Sequence, residues 1–283
     1  MRDKPYYSVR TGKHTLGGQL DLATVLRVAS GIYENLEEEG YFQEHLGFEC
    51  VDAGFVAGKV GSDLDGYVLL QVRKAHLLPF RTEFPKYSED DFFDVLEFLY
   101  EHVSKPTTRE YHSWDDCGWH CSVFDRPEGR AEFREKVNRV LRHYGGGFEL
   151  SVDGEVLSLP DAGLEALMEA ALPSSDPENI ELRVATARRK FRRHGASLDE
   201  RRDAIRDLAD VLEYLRPKLK GVVLAKDESD LFNLANNFGL RHHNEVQKVK
   251  YDRAIWYSWF FYYYLATIHA VLRLIAKAGE REA

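Results

Sequence analysis

Two adjacent histidines, preceded by an arginine and two asparagines, make "NNFGLRHHNE" the most chemically suggestive stretch of the sequence. An imidazole takes up and releases a proton near neutral pH, so His242 and His243 are candidates for general acid and base catalysis. Arg241 could hold a phosphate oxygen, and Asn236 and Asn237 could position one by hydrogen bonds. The alternative is the polar end of a buried helix, and spacing alone favours that alternative.

A second stretch, "HSWDDCGWHC", contains residue types that bind zinc. Its candidate ligands are His112, Cys117, His120 and Cys121, and Cys50 could supply another sulfur. No second Cys or His pair at ligand spacing accompanies them, and the two tryptophans indicate packing. We therefore expect a loop held by aromatic contacts, with a metal-binding enzyme centred on this stretch as an alternative.

A third candidate is a cation-rich segment. Residues 183–220 contain twelve Lys and Arg against six Asp and Glu, although the whole chain has a net charge of −9. The densest part, "ARRKFRRH", carries Arg188, Arg189, Lys190, Arg192 and Arg193. Such a helix face could bind RNA phosphates by counterion release. It could equally be a solvated helix end that pairs with nearby acids, and both interpretations stay open.

Length and composition are those of a globular protein of one large or two ordinary domains, with 283 residues of which 44% are hydrophobic. The negative net charge excludes a cationic coat over the whole surface, so a nucleic acid would have to bind a local patch. Three cysteines favour a reducing compartment over a disulfide framework. The opening "MRDKPYYSVR" lacks the apolar core of a signal peptide. We expect a cytoplasmic protein.

Residues 254–272 contain no charged side chain and are about long enough to span a membrane. The segment "AIWYSWFFYYYLATIHAVL" nevertheless holds many polar atoms, and its aromatic residues fill the middle instead of the two ends. These properties favour a helix buried in a bundle or at a subunit interface. We expect no membrane association.

The pattern of elements predicts a mainly α protein in two parts. Residues 1–173 are expected to be helical, with one β-hairpin near 148–158 whose "DG" dipeptide suits a type I′ turn. The Pro- and Ser-rich "LPSSDPEN" marks the boundary, and 174–283 are expected to form a helical bundle. The clearest predicted helices cover residues 20–38, 177–194, 197–216, 227–243 and 252–279.

One segment resembles a known family. "SDLFNLANNFGLRHHNEVQKVKYDRAIWYSWFFYYYLATIHAVLRL" is similar to the C-terminal part of HEPN-superfamily helical domains, in particular those of AbiJ-like abortive-infection proteins. Upstream, "EFREKVNRVLRHYGGGFELSVDGEVLSL" resembles the N-terminal module of such proteins. The resemblance implies a four- or five-helix bundle that forms a homodimer. It also implies metal-independent RNA cleavage in antiphage defence or stress response, without a cofactor.

The family's motif is an Arg followed, after roughly four to six residues, by a His that acts as acid or base on the ribose hydroxyl and phosphate. Counting back from His242 or His243 reaches Asn236 or Asn237, so Asn stands where the family has Arg. Either Arg241 or the cation-rich segment compensates for the missing charge, or catalysis is lost. In the latter case the protein would be a dimerising interaction module.

Overall fold

The computed structural model describes residues 6–13, 18–174, 176–219 and 252–282. The chain divides into two compact units, Met1–Leu157 and Ser158–Ala283. Each unit has its own cluster of buried apolar side chains. Helices predominate, and the strands of the described residues form three two-stranded antiparallel sheets, so the predicted mainly α class is confirmed.

The first unit is built from short and medium helices interrupted by hairpins. Its two longest helices, α2 and α7, and the capped helix α6 supply most of the core. The helices are α1 (Tyr7–Arg10), α2 (Leu22–Glu38), α3 (Gln43–Leu46), α4 (Leu64–Val72), α5 (Phe80–Glu83), α6 (Glu89–His102) and α7 (Arg126–Leu141), with 3₁₀ turns at Phe84–Lys86 and Trp114–Asp116.

Capping residues define where these helices begin. The predicted helix at 20–38 is confirmed, and the carboxylate of Asp21 caps α2 by accepting a hydrogen bond of 2.8 Å from the backbone N–H of Thr24. Helix α6 begins with a capping box in which Ser88 and Asp91 each accept a hydrogen bond from the other's backbone N–H. The entry to each helix is therefore specified locally.

Three hairpins accompany the helices of the first unit. They pair β1 (Phe48–Cys50) with β2 (Gly54–Val56), β3 (Lys105–His112) with β4 (Gly118–Asp125), and β5 (Phe148–Leu150) with β6 (Val156–Ser158). The sequence predicted the third hairpin and missed the second. The long β3–β4 hairpin occupies the stretch that the sequence analysis assigned to an aromatic loop.

The turn of the third hairpin differs from the expected type I′. Backbone bonds run from Gly154 N–H to Ser151 O at 3.1 Å and from Ser151 N–H to Glu155 O at 2.9 Å. Gly154 has a φ of 85°, whereas Asp153 keeps a negative φ. A type I′ turn needs positive φ at both central residues, so this turn is a three-residue loop with glycine at its left-handed position.

The second unit is helical over most of its described length. It contains α8 (Glu165–Glu169), a π-helical turn (Pro177–Glu181), α9 (Leu182–Arg192), α10 (Leu198–Leu219) and α11 (Arg253–Glu282). Helix α10 packs against both α9 and α11. The rings of Phe191 on α9 and Phe261 on α11 stack with centroids 4.0 Å apart. The predicted helix at 227–243 lies outside the described residues.

Helix α11 accounts for the uncharged aromatic stretch. Within the part of the chain that the structure describes, Arg253–Gly279 is the one helix long and apolar enough to cross a membrane. More than half of its most apolar portion is buried inside the protein. Its buried side chains include Phe260, Phe261, Tyr264 and Leu265, each with at most 1% of its surface exposed. The helix is thus a core element of the second unit.

Candidate metal centre

The β3–β4 hairpin places two histidines on the same face. His112 lies opposite Gly118 in the register, and His120 lies opposite Glu110. Because side chains alternate along a strand, residues 110 and 112 point to the same face, opposite to residue 111, and they share that face with their cross-strand partners 118 and 120. The two imidazole centroids are 5.0 Å apart. Gly118 has no side chain to occupy the space beside His112.

Two cysteines approach this face from different segments. Cys50 ends β1 and is buried, and Cys117 immediately precedes β4. The Cys50 Sγ lies 3.9 Å from His112 Nδ1, and the Cys117 Sγ lies 3.3 Å from His120 Nε2. One ligand atom from each of the four residues lies within 4.8 Å of every other. Residues far apart in sequence thus form one compact cluster.

The surroundings of the cluster orient its ligands. The Nε2 of His112 lies 3.1 Å from the Asp52 carboxylate, which leaves Nδ1 facing Cys50. A carboxylate on the second nitrogen of a ligating imidazole fixes its tautomer and increases its basicity. Backbone N–H groups of Ala53 and Asp52 lower the pKa of the Cys50 thiol. The ring of Phe48 packs on His120 with centroids 4.7 Å apart.

The donor set and its dimensions fit Zn²⁺. Two thiolates and two imidazoles are a common tetrahedral zinc set, and ordinary Zn–S and Zn–N bond lengths place a sulfur and a nitrogen ligand about 3.6 Å apart. The two S···N distances in the cluster, 3.3 and 3.9 Å, lie on either side of that value. The residues present can therefore hold the ion with small adjustments of side chains.

Cys121 does not belong to this cluster. It follows His120 in β4, so its side chain points to the opposite face of the hairpin. There it packs against Gly40, where an added Cβ would lie only 2.4 Å from the Cys121 sulfur. Burial raises the pKa of this thiol. Among the candidate ligands drawn from "HSWDDCGWHC", the structure brings together three with Cys50 and leaves Cys121 aside.

The cation-rich segment of α9 is less available than its sequence indicates. Arg188 is half-buried and donates to the Ala170 carbonyl at 3.0 Å, and Lys190 forms an ion pair with Asp207 at 2.7 Å. Arg192 donates to the Ser158 carbonyl at 2.8 Å. Arg189 and Arg193 are exposed. The five cations therefore do not form one continuous free surface.

The second unit contains a contact between two side chains that the sequence does not predict. The Arg188 guanidinium lies 3.5 Å from the Nε2 of His269, a buried residue of α11. Burial and the nearby charges of Arg188 and Arg273 lower the pKa of His269. Positions 188 and 269 are on different helices, so only the fold brings them together. The candidates Asn236, Asn237, Arg241, His242 and His243 lie outside the described residues.

Comparisons of the chain with family models, with curated proteins and with solved structures each found no match.

Proposed function

We propose that the first unit binds one Zn²⁺ ion through Cys50, His112, Cys117 and His120. The observation that carries this proposal is the convergence of four ligand atoms within 4.8 Å from separate segments of the chain. Four protein ligands fill a tetrahedral zinc site and leave no position for substrate, as in structural sites. The ion would link the β1–β2 and β3–β4 hairpins, and this role is favoured over a metal-dependent enzyme centred on 112–121.

The metal content of matched cysteine variants tests this proposal. We expect the wild-type protein, purified with zinc supplied and without chelator, to carry one zinc per chain by elemental analysis. Cys117→Ser removes a ligand and should lose most of the zinc. Cys121→Ser changes a thiol four residues away on the other face and should keep it. Equal zinc content in the two variants, or a wild-type protein without zinc, would show that the cluster is not a zinc site.

A second proposal concerns the second unit, which we infer acts on RNA as a HEPN-like bundle. The sequence resemblance and the predominance of helix over its described residues support this proposal. The proposal includes a cytoplasmic homodimer with a role in antiphage defence or stress response.

RNA cleavage by the zinc-loaded protein, without added divalent cations, tests the second proposal. We expect cleavage to fall at least about 100-fold in the double variant His242→Ala/His243→Ala, because general acid–base catalysis contributes about that much. His194→Ala, a histidine of the cation-rich segment, is the control and should keep activity. A wild-type protein that neither binds nor cleaves RNA would leave the interaction module as the better account.

A further inference from the structure

A cleft of about 390 Å³ in the first unit is lined by an unusual concentration of basic and imidazole groups. It lies where α3, α4, the end of α6 and the beginning of α7 meet. Six of its residues matter here: His45, Lys59, Tyr67, His102, Arg126 and Arg130. None of them belongs to the zinc cluster or to the cation-rich segment, so the cleft is a separate site.

The two arginines of the cleft are held by backbone carbonyls. Arg126 and Arg130 lie one helical turn apart at the beginning of α7. Arg126 donates to the Glu101 carbonyl at 2.5 Å, and Arg130 donates to the Tyr100 carbonyl at 3.2 Å. Within the described ranges, neither guanidinium has a carboxylate at ion-pair distance. Each group is therefore fixed in place while several of its five N–H donors remain available.

The backbone of α7 can approach so closely because residue 129 is glycine. An added Cβ at Gly129 would lie 2.4 Å from the backbone nitrogen of Lys105. A larger side chain would push the beginning of α7 away from the segment that follows α6. The position of both arginines thus depends on close backbone packing, which makes the arrangement rigid.

Backbone hydrogen bonds to the segment that contains His45 position Lys59. The backbone N–H groups of Lys59 and Val60 donate to the carbonyls of Glu44 and His45 at 2.9 and 3.0 Å. An added Cβ at Gly58 would lie 2.3 Å from the His45 carbonyl oxygen, so the approach requires glycine there. The Lys59 ammonium pairs with the Glu44 carboxylate at 2.5 Å. This ion pair leaves the two arginines to give the cleft its positive charge.

The two histidines of the cleft have different roles. His102 Nδ1 donates to the Phe98 carbonyl at 2.7 Å, so its Nε2 accepts the hydroxyl of Tyr67 at 3.0 Å. His102 thus donates one hydrogen bond and accepts the other, which is the pattern of a neutral imidazole. His45 is 8% exposed, and its buried Nδ1 has no hydrogen-bond partner among the described residues, the Glu44 carboxylate lying 3.5 Å away. His45 is the group that can respond to a ligand.

We propose that this cleft binds the phosphate group of a small phosphorylated molecule, a phosphomonoester. Arg126 and Arg130 would bind the phosphate oxygens with charge-assisted hydrogen bonds, and Lys59 and the imidazole of His45 would lie beside them. The cleft falls within the size range of small-molecule sites and has room for the phosphate with a sugar-sized remainder. Glu101 also lines the cleft and reduces its net positive charge.

Binding of a dianion should be coupled to the uptake of a proton by His45. Burial lowers the pKa of His45, and Arg126 and Lys59 lower it further, while Glu44 on its own helix raises it. The other groups that face it are Glu101, His102, Tyr67 and Arg130. A bound dianion among these cations would raise the pKa of His45. Affinity for the anion should therefore increase as the pH falls.

Calorimetric titration of the zinc-loaded, full-length protein with inorganic phosphate and with sulfate tests the proposal. We expect Arg126→Gln to weaken binding of both anions about tenfold or more, because it removes charge-assisted hydrogen bonds. Arg126→Lys keeps the charge without the guanidinium geometry and should show an intermediate loss. Arg139→Gln is the matched control, because Arg139 lies on the same helix and pairs with Glu135 outside the cleft. Thermal melting would verify that each variant is folded.

The pH dependence of sulfate binding tests the contribution of His45 to anion affinity. Sulfate stays a dianion from about pH 5.5 to about pH 8, so any change in its affinity comes from the protein. We expect sulfate affinity to rise as the pH is lowered over this range in the wild-type protein, and His45→Gln to flatten the dependence. A dependence that is unchanged in His45→Gln would overturn the role given to His45.

Two further results would overturn the proposal as a whole. If the Arg126→Gln and Arg139→Gln variants bind the anions with equal affinity, any bound phosphate lies outside the cleft. An RNA oligonucleotide that binds at least about 100-fold more tightly than phosphate, and loses this affinity in Arg126→Gln, would make the cleft a nucleic-acid site. Tighter binding of a sugar phosphate than of inorganic phosphate, lost in Arg126→Gln, would support the proposal and identify the remainder of the ligand.

Discussion

At the scale of single residues, the zinc cluster depends on which nitrogen of His112 faces the sulfurs. The carboxylate of Asp52, 3.1 Å from Nε2, holds the proton there and leaves the lone pair of Nδ1 for a metal. Asp52 is exposed and contributes little to packing. Its contribution would therefore be to metal affinity, with little effect on folding.

Replacing this carboxylate should weaken zinc binding without unfolding the protein. We expect Asp52→Asn to lower zinc affinity by about 10- to 100-fold, the usual effect of losing such a hydrogen-bond partner. Competition with a chromophoric chelator measures the change. Asp115→Asn, an exposed substitution of the same kind in the β3–β4 turn, is the control. If both variants bind zinc equally, Asp52 does not orient His112.

Sequence alone identified the residue types of this cluster but not its membership. Cys117 and His120 are only three positions apart in the sequence, whereas Cys50 and His112 are 62 positions apart. Their pairing depends on where two hairpins lie in the folded unit, which no local spacing encodes. The separation of Cys121 from His120 was predictable in principle. It follows from strand alternation once the β3–β4 hairpin is recognised.

At the scale of elements, helix α6 shows how one carboxylate connects a helix terminus with its neighbours. Asp91 accepts hydrogen bonds from Ser88 and pairs with Lys74 at 2.7 Å. Burial opposes ionisation of Asp91, but the bonds from Lys74, Ser88 and His76 outweigh it and lower the pKa of the carboxyl group. The ionised group thus stabilises the folded state.

This arrangement predicts a loss of stability in acid. Because the folded-state pKa of Asp91 lies below its unfolded value, the stabilisation is complete above about pH 4 and declines as the pH falls through the folded-state pKa. We expect Asp91→Asn to cost about 2–3 kcal/mol near neutral pH, and less in acid. Urea unfolding at several pH values measures both effects. A larger loss for Asp90→Asn, an exposed neighbour, would contradict this account.

Glycines at close backbone contacts supply another prediction. Gly58→Ala should destabilise the first unit by about 1–3 kcal/mol, because the new methyl group would overlap the His45 carbonyl. Gly31→Ala lies within α2 with no atom in the way and should stabilise the protein by about 0.5–1 kcal/mol. Chemical unfolding of both variants tests the opposite signs. A stabilised Gly58→Ala variant would show that the contact can relax.

Helices were easier to predict than strands for a physical reason. Helices α2, α6, α10 and α11 each have a local signal in the sequence. Apolar periodicity marks α2, a capping box marks the beginning of α6 and a second one, formed by Ser197 and Glu200, the beginning of α10, and length marks the aromatic helix α11. Strands β3 and β4 face solvent over most of their length, so the alternation of buried and exposed residues that identifies a strand is weak. The sequence of that hairpin therefore resembles a loop.

At the scale of the whole molecule, the two separate apolar clusters imply two cooperative units. The four proposed zinc ligands all belong to the first unit. Removing zinc should therefore destabilise only that unit, by the free energy of metal binding to the folded state. The second unit should unfold as before.

Differential scanning calorimetry of the full-length protein tests this expectation. We expect two transitions, of which a chelator such as EDTA lowers the melting temperature of one and leaves the other unchanged. The Cys117→Ser variant should show the shifted transition without chelator, and Cys121→Ser should behave as the wild type does. A single transition, or an equal shift of both, would contradict independent unfolding of the units.

The separation between Cys50 and His112 also has an entropic meaning. A Zn²⁺ ion bound to both residues would close a loop of 62 residues, and the chain-entropy model assigns the closure of a loop of that length about 4 kcal/mol. A disulfide would supply this constraint permanently in oxidising surroundings. A Zn²⁺ ion that is released on unfolding leaves the unfolded chain unrestricted, so the cost of closing this loop is subtracted from the free energy of metal binding, and the stability of the first unit would vary with the concentration of available zinc.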